Sequence, residues 1–258
     1  MHEAEWVTHT SALDCRLSQH IPRYGTASFG RHAGGELHLT VQVMRPPAKA
    51  DYARLSARPP AWKHDAVLRD LGRVNLSAGK VPFTLDRVLS RRLLTELEEG
   101  MTPTLSYKDW SDGRDEVQVS LSAVNFRASL GEFLSCLDDL LPFDFPTVAR
   151  TTLHFDFAGT DISSQGQQQL ARVARYLRAD DAVKKVTIDS YTDTVGYRKL
   201  NDKMSRKRAE AVRDFLTARG VDASRFELRA HGEREPKYSN RTAKGRALNR
   251  RVVVTVVR

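Results

Sequence analysis

The sequence has 258 residues, of which 40% are hydrophobic and 28% charged, and its formal net charge is +9 at pH 7. A chain of this length can form two domains that each bury a core, and this balance of residues is typical of a globular protein. No apolar run approaches the roughly 20 residues that a bilayer-crossing helix needs, so no transmembrane segment is predicted.

The positive charge is concentrated in the C-terminal part. Residues 1–146 contain 17 Lys and Arg against 19 Asp and Glu, whereas residues 147–258 contain 24 against 13, so the net charges are −2 and +11. A basic half could bind nucleic acid, an anionic membrane surface or an acidic polymer. Because its cations are dispersed and aromatic residues are sparse after Phe157, the sequence offers no stacking platform for single strands, and we expect no nucleic-acid partner.

The N-terminal part predicts a β-rich barrel or sandwich with helices. Short alternating runs are separated by Gly and Pro, which is typical of such folds. Asp86 is expected to cap a helix that ends at Gly100, and a second helix is expected from about Ser129 to Leu140. The predicted strands lie at 15–18, 27–29, 37–43, 81–85 and 117–121.

Cys15 and Cys136 are the only cysteines, too few and too far apart in sequence for a zinc site. In an exported protein they would form one disulfide that closes a loop of about 120 residues, and in the cytosol they would be two buried free thiols. Residues 1–5 lack the basic start and apolar segment of a signal peptide, so we expect a cytosolic protein or a mature form.

This half carries no catalytic signature. Its histidines have no partner at metal-ligand spacing, and G-x-S-x-G, H-E-x-x-H and the P-loop are absent from the sequence. We therefore predict no enzyme, no metal and no cofactor. Trp62 and Trp110, in polar surroundings, are expected either to plug the barrel ends or to anchor a protein partner.

The C-terminal part alternates strands and helices, which predicts an α/β sandwich with a mixed sheet. Pro142 and Pro146 indicate a stiff junction, so we place the domains at 1–146 and 147–258. Val252–Val257 is nearly all β-branched, as expected of a central strand. The predicted elements are strand 148–155, helix 164–178, strand 185–191, helix 205–219, strand 226–231 and strand 252–257.

A strand, a turn and a helix start follow one another from Val186 to Ala209. Ser205 is expected to be the helix N-cap, which would place Arg206–Arg208 in the first turn, where each cation costs about 0.3–1 kcal/mol. An anion bound at the helix start would offset that cost. Asp193 in the preceding turn and Arg208 would then suit a zwitterion, with the ammonium on Asp193 and the carboxylate on Arg208. Alternatively, the two side chains pair with each other on the surface.

Three ordered motifs carry a resemblance. They are T-D-x-x-G at 192–196, N-x-x-M-S-x-x-R-A at 201–209 and G-R-x-x-N-R-R-V at 245–252. Together they resemble the OmpA-like peptidoglycan-binding domain, which is also found in Pal and MotB. The resemblance implies that Asp193 and Arg208 hold the two charged ends of diaminopimelate in the peptidoglycan stem peptide. It also implies that Thr192, Asn201 and Met204 form the pocket wall.

The segment H-F-D-F-A at 154–158 resembles the F-x-F-[DN] strand end of the same family. This resemblance implies that Phe157 and Ala158 line the pocket, with Ala158 contributing its backbone N–H because the usual acid or amide is missing. Either Arg250 or Arg251 is expected to approach the pocket, or both are solvated.

Local phrases in the N-terminal half resemble the MotY family of flagellar motor proteins. They are I-P-R-Y-G at 21–25, M-R-P-P at 44–47, P-A-W at 60–62 and P-T-L-S-Y-K-D-W at 103–110, and the placement of the cysteines also matches. The resemblance implies a non-enzymatic, periplasmic basal-body protein in its mature form. Its N-terminal domain would contact stator or basal-body proteins, and its C-terminal domain would bind peptidoglycan, so that the stator is anchored around the motor.

Two other functions compete with this one. The first is a general envelope-stability protein of the OmpA or Pal kind, which tethers the wall to a membrane without a motor role. The second is a cell-wall hydrolase with Asp156 and Asp193 as its pair of carboxylates, which would need a defined separation.

Overall fold

A computed structural model of the chain describes residues 5–47, 51–60, 63, 65–108 and 116–258. The chain divides into two compact units, Met1–Pro142 and Phe143–Arg258. Trp62 and Trp110, predicted to be plugs or anchors, lie outside the described residues. Across those described residues, no helix combines the length and apolar character that crossing a bilayer requires.

The N-terminal unit contains nine strands and two helices among the residues described. In chain order the elements are β1 (Trp6–Thr10), β2 (Asp14–Ile21), β3 (Gly25–His32), β4 (His38–Val43), β5 (Asp51–Arg58), β6 (Arg69–Leu76), β7 (Phe83–Leu85), α1 (Arg87–Glu98), β8 (Thr102–Lys108), β9 (Glu116–Ser120) and α2 (Phe126–Asp139). Strands β1, β2, β3, β4 and β7 form one antiparallel sheet in that order, and β6, β5, β8 and β9 form a second.

Both sheets and both helices contribute to one core, in which Phe29 of the first sheet, Leu55 of the second and Phe133 of α2 are fully buried. Along the described strands no ladder joins the two sheets, so the unit is a sandwich with helices and the barrel alternative is wrong. Strand β7, at one edge of the first sheet, is only three residues long and follows Pro82, which has no N–H to donate to a ladder.

Cys15 on β2 and Cys136 on α2 form a disulfide, with their Cα atoms 5.9 Å apart. The prediction of one disulfide is confirmed, and the alternative of two free thiols is wrong. The bond attaches α2 to the first sheet.

The helix predicted after Asp86 is present. The Asp86 side chain accepts a hydrogen bond from the Leu89 N–H, and the chain leaves α1 at Gly100 with a φ of 81°. Helix α2 begins at Phe126, three residues before the predicted start.

The C-terminal unit is a two-layer α/β structure. Its elements are α3 (Phe145–Ala149), β10 (Arg150–His154), α4 (Ser164–Ala179), β11 (Lys185–Tyr191), α5 (Arg198–Thr217), β12 (Phe226–Gly232), α6 (Ala243–Asn249) and β13 (Arg251–Val257). The sheet has the order β10-β13-β11-β12, with β11 and β12 parallel and the other pairs antiparallel, so the predicted mixed sheet is confirmed. Strand β13 is central and buried, as its β-branched sequence predicts.

The segment predicted to be a stiff junction followed by a strand from Val148 instead contains the short helix α3. Asp144 caps it by accepting hydrogen bonds from the N–H and the hydroxyl of Thr147, and Pro146 lies in its first turn, where a missing N–H costs nothing. The strand therefore begins at Arg150.

Candidate functional site

A cavity of about 210 Å³ lies at the ends of β10 and β11, beside α5. Each strand ends just before residues that line it, and α5 supplies one wall. The cavity brings together all seven residues that the sequence predicts for the pocket: Phe157, Ala158, Thr192, Asp193, Asn201, Met204 and Arg208. It is also lined by Val195, Gly196, Leu200 and Arg250.

Asp193 is the only acidic residue that lines this cavity, and it is 3% exposed. One carboxylate oxygen accepts a hydrogen bond from the Val195 N–H at 3.0 Å. The other accepts from Nη1 of Arg250 at 2.9 Å, and Arg250 also donates through Nε to the Phe155 carbonyl at 3.0 Å. Arg250 is thus the arginine that joins the pocket, whereas Arg251 is buried and its guanidinium lies 3.9 Å from the centre of the Tyr191 ring.

Arg208 is 1% exposed, and Asp193 pairs with Arg250 instead of with Arg208. The alternative in which Asp193 and Arg208 pair with each other on the surface is therefore wrong. Its Nε donates to the Gly159 carbonyl at 2.8 Å and its Nη2 to the Asp156 carbonyl at 2.9 Å. These bonds use two of the five guanidinium N–H groups. The ring of Phe155 lies 5.3 Å from the guanidinium carbon.

Burial and the nearby positive charge of Arg250 lower the pKa of Arg208 to about 10, against the opposing effect of Asp193. Because this value remains well above neutral pH, Arg208 stays a cation. The lining residues therefore carry one negative and two positive charges, a combination that can bind both an ammonium group and a carboxylate.

The expected N-cap role of Ser205 is wrong, because α5 begins two turns earlier at Arg198. Ser205 is buried inside the helix, where its hydroxyl donates to the Asp202 carbonyl at 2.9 Å and accepts from the Gly232 N–H at 3.1 Å. Arg206–Arg208 consequently lie in mid-helix, and the predicted conflict with the macrodipole does not arise. Burial against the 156–159 loop places Arg208 at the cavity instead.

Thr192, Asn201 and Met204 form part of the wall. The Thr192 side chain is almost fully buried, and its hydroxyl oxygen has no hydrogen-bond partner in the described structure. Asn201 donates through Nδ2 to Oε2 of Glu233 at 2.8 Å. An unpartnered buried hydroxyl beside a charged pair is an available contact for a polar ligand.

The mouth of the cavity is apolar. Phe157 is 65% exposed, and Leu200 and Val195 are also exposed. Ala158 has a φ of 53°, a left-handed conformation that alanine rarely adopts and that suits the Asp or Asn expected at this position. Leu200 was missed because the sequence-based helix started too late. Its spacing of four from Met204 and eight from Arg208 is the signal that could have found it.

Comparison with known proteins gives two family matches. Residues 1–142 match the MotY N-terminal domain, and residues 154–250 match the OmpA family. The sodium-type flagellar protein MotY of Vibrio parahaemolyticus is 29% identical over 262 residues, which covers 99% of this chain and 88% of that protein. Outer membrane protein A of Bordetella avium is 34% identical over 116 residues, or 45% of this chain and 59% of that protein.

Among solved structures, the peptidoglycan-associated lipoprotein from Burkholderia pseudomallei is 29% identical and covers 41% of this chain and 89% of its own, with a TM-score of 0.40. The C-terminal domain of Helicobacter pylori MotB is 20% identical and covers 42% of this chain and 84% of its own, with a TM-score of 0.39. Because the MotY N-terminal domain matches more than half of the chain and the similarity to Vibrio MotY extends over nearly all of it, the chain belongs to the MotY family of flagellar motor proteins and carries a C-terminal OmpA family domain.

Proposed function

We propose that this protein is a non-enzymatic, periplasmic component of the flagellar basal body that binds peptidoglycan and helps to hold the stator around the motor. Membership of the MotY family supports the motor role. In this proposal the C-terminal unit binds the wall, and the N-terminal unit contacts stator or basal-body proteins.

One observation carries the wall-binding proposal: buried groups of opposite charge line the same cavity. The free end of diaminopimelate in a stem peptide bears an ammonium and a carboxylate. The ammonium would contact Asp193, the carboxylate would contact the free N–H groups of Arg208, and the unpartnered Thr192 hydroxyl would bond to either group.

The arrangement of carboxylates supports binding rather than hydrolysis. A glycosidase mechanism needs two carboxyl groups that flank one bond. Here Asp156 is exposed and does not line the cavity, while Asp193 is held by the Val195 N–H and by Arg250. We therefore expect the full chain to release no muropeptides from purified cell walls, and such release would support the hydrolase instead.

The wall-binding test compares purified sacculi that contain diaminopimelate with sacculi that contain lysine at the same position. We expect the full chain to prefer the first. Asp193→Asn should weaken that binding by 30-fold or more, because removing one charge of a desolvated pair costs about 2–5 kcal/mol. The matched control is Asp181→Asn, which changes an exposed acid outside the cavity. If the Asp193→Asn variant binds as tightly as the unmodified chain, the cavity around Asp193 is not the wall-binding site.

The motor role is tested separately in cells. We expect a deletion strain to lose swimming, and a fluorescent fusion of the full chain to form foci that depend on flagellar assembly. A deletion strain that swims normally but has a leaky envelope would instead support the general envelope-stability function.

A further inference from the structure

The N-terminal unit contains a second cavity of about 480 Å³ between α1, α2 and the turn that joins β3 to β4, which we call the α1–α2 cleft. Three arginines line it: Arg87 and Arg91, one turn apart on α1, and Arg31 on β3. Among the described residues, Glu36 is the only acid that lines it. The cleft therefore has an excess of two positive charges, although residues 1–146 as a whole carry a net charge of −2.

The arginines of the cleft lack the acidic partners that neighbouring arginines have. Arg92 pairs with Glu96 at 2.7 Å, and Arg69 pairs with the same carboxylate at 2.8 Å. Within the described part of the chain, Arg87 and Arg91 form no ion pair, and both are exposed. Arg87 is also the first residue of α1, where the helix macrodipole disfavours a cation, and the adjacent N-cap carboxylate of Asp86 is bonded to the Leu89 N–H and forms no ion pair with Arg87 among the described contacts.

The cleft also has an apolar surface. Leu94 lies on the same face of α1 as Arg87 and Arg91, and Leu134 and Leu137 lie one turn apart on α2. Leu134 is 46% exposed although it belongs to a helix whose other face packs in the core. Leu94 is itself buried and Leu137 is partly buried, so Leu134 is the main exposed leucine of the cleft. An exposed leucine flanked by unpaired cations is complementary to an amphipathic segment that bears carboxylates.

We propose that the α1–α2 cleft binds an acidic amphipathic segment of a partner protein, with its apolar side chains on the leucines and its carboxylates on Arg87 and Arg91. This inference rests on the proposed function, in which the N-terminal unit contacts the motor. It is independent of the cavity around Asp193. The slightly negative net charge of residues 1–146 argues against an extended anionic surface such as a membrane as the partner.

The first test uses a defined probe and the full chain. The probe is a labelled 14-residue amphipathic helix with leucines on one face and flanking glutamates, and its control is the same peptide with lysines. We expect the acidic peptide to bind with an affinity that falls as salt is raised, and the lysine peptide not to bind. Arg87→Gln with Arg91→Gln should weaken binding by tenfold or more. Arg73→Gln, which changes an exposed arginine on β6 outside the cleft, should not.

Three results of these binding tests would overturn the proposal: no binding of the acidic peptide, equal binding by the double variant, or binding of anionic phospholipid vesicles that the double variant loses.

The second test places the same double variant in cells. We expect its fluorescent foci and swimming to be lost while its binding to purified sacculi is unchanged. If foci and swimming persist, the cleft does not dock the motor. If sacculus binding fails in the unmodified chain, the wall-binding proposal fails instead, and the cleft proposal still stands on its own tests.

Discussion

Replacing Arg208 with alanine is expected to destabilise the C-terminal unit as well as to weaken any ligand. The side chain is fully buried and donates charged hydrogen bonds to the carbonyls of Asp156 and Gly159. Each such bond contributes about 1.5–3 kcal/mol, which gives roughly 3–6 kcal/mol for the two. Water that enters the adjoining cavity can solvate the freed carbonyls and offset part of this loss, so we expect a net cost of about 2–4 kcal/mol.

The two units can be followed separately in the full chain. All three tryptophans, at positions 6, 62 and 110, precede residue 143, so tryptophan fluorescence reports on the N-terminal unit. Calorimetry reports on both units. For a unit of about 116 residues, each kcal/mol shifts the unfolding midpoint by about 4 °C. Arg208→Ala should therefore lower the C-terminal transition by about 8–16 °C and leave the fluorescence transition unchanged.

Arg206→Ala is the matched control, because Arg206 is exposed on the same helix and should change stability by no more than about 0.5 kcal/mol. Arg208→Lys should be intermediate, since an ammonium keeps the charge but cannot reproduce the planar pair of bonds. If Arg208→Ala unfolds at the same temperature as the unmodified chain, the bonds to the 156–159 loop do not stabilise the unit. Burial against this loop would then not be what places Arg208 at the cavity.

Two further predictions concern stability. Replacing Cys15 and Cys136 with serine should destabilise the N-terminal unit by roughly 4–5 kcal/mol, the chain-entropy value for a loop of about 120 residues. Urea unfolding followed by tryptophan fluorescence measures this loss, and an unchanged unfolding midpoint would contradict it. Burial alone would raise the pKa of Asp180, but hydrogen bonds from Tyr176, from Arg258 and from a backbone N–H lower it below its usual value of 3.8. Because the folded pKa is the lower one, this stabilisation is present above about pH 4 and is lost as the pH falls further. Calorimetry between pH 2 and 6 should therefore show a steeper acid loss in the unmodified chain than in Asp180→Asn, and parallel profiles would refute the assignment.

Short local motifs carry the resemblance from which the residues of the pocket are predicted. The alternation of β11 ends at Tyr191, so Thr192 and Asp193 could be placed in a turn at a strand end. Phe157 and Ala158, which follow β10, are predicted from the resemblance of residues 154–158 to the F-x-F-[DN] strand end rather than from alternation. In both cases the feature depends on neighbouring residues alone, which is the information that a sequence pattern carries.

Features that depend on distant contacts were mispredicted. Serine is a common N-cap residue, but Ser205 lies inside α5, where its buried hydroxyl accepts a hydrogen bond from the Gly232 N–H, 27 residues away. The helix starts at Arg198, where the structure shows no side-chain cap. Propensity and capping are weak preferences that tertiary contacts override, and no local signal reports such a contact.

The charge balance of the cavity is the clearest consequence of long-range pairing. Strand β13 lies between β10 and β11 and is antiparallel to both, so Arg250, just before β13, reaches Asp193, just after β11 and 57 residues earlier in the chain. Its presence adds a second positive charge to the pair of opposite charges expected from Asp193 and Arg208 alone. An ammonium group must share the Asp193 carboxylate with Arg250, whereas a carboxylate meets two guanidinium groups. For the ligand proposed here, the carboxylate end should therefore contribute more of the binding free energy than the ammonium end.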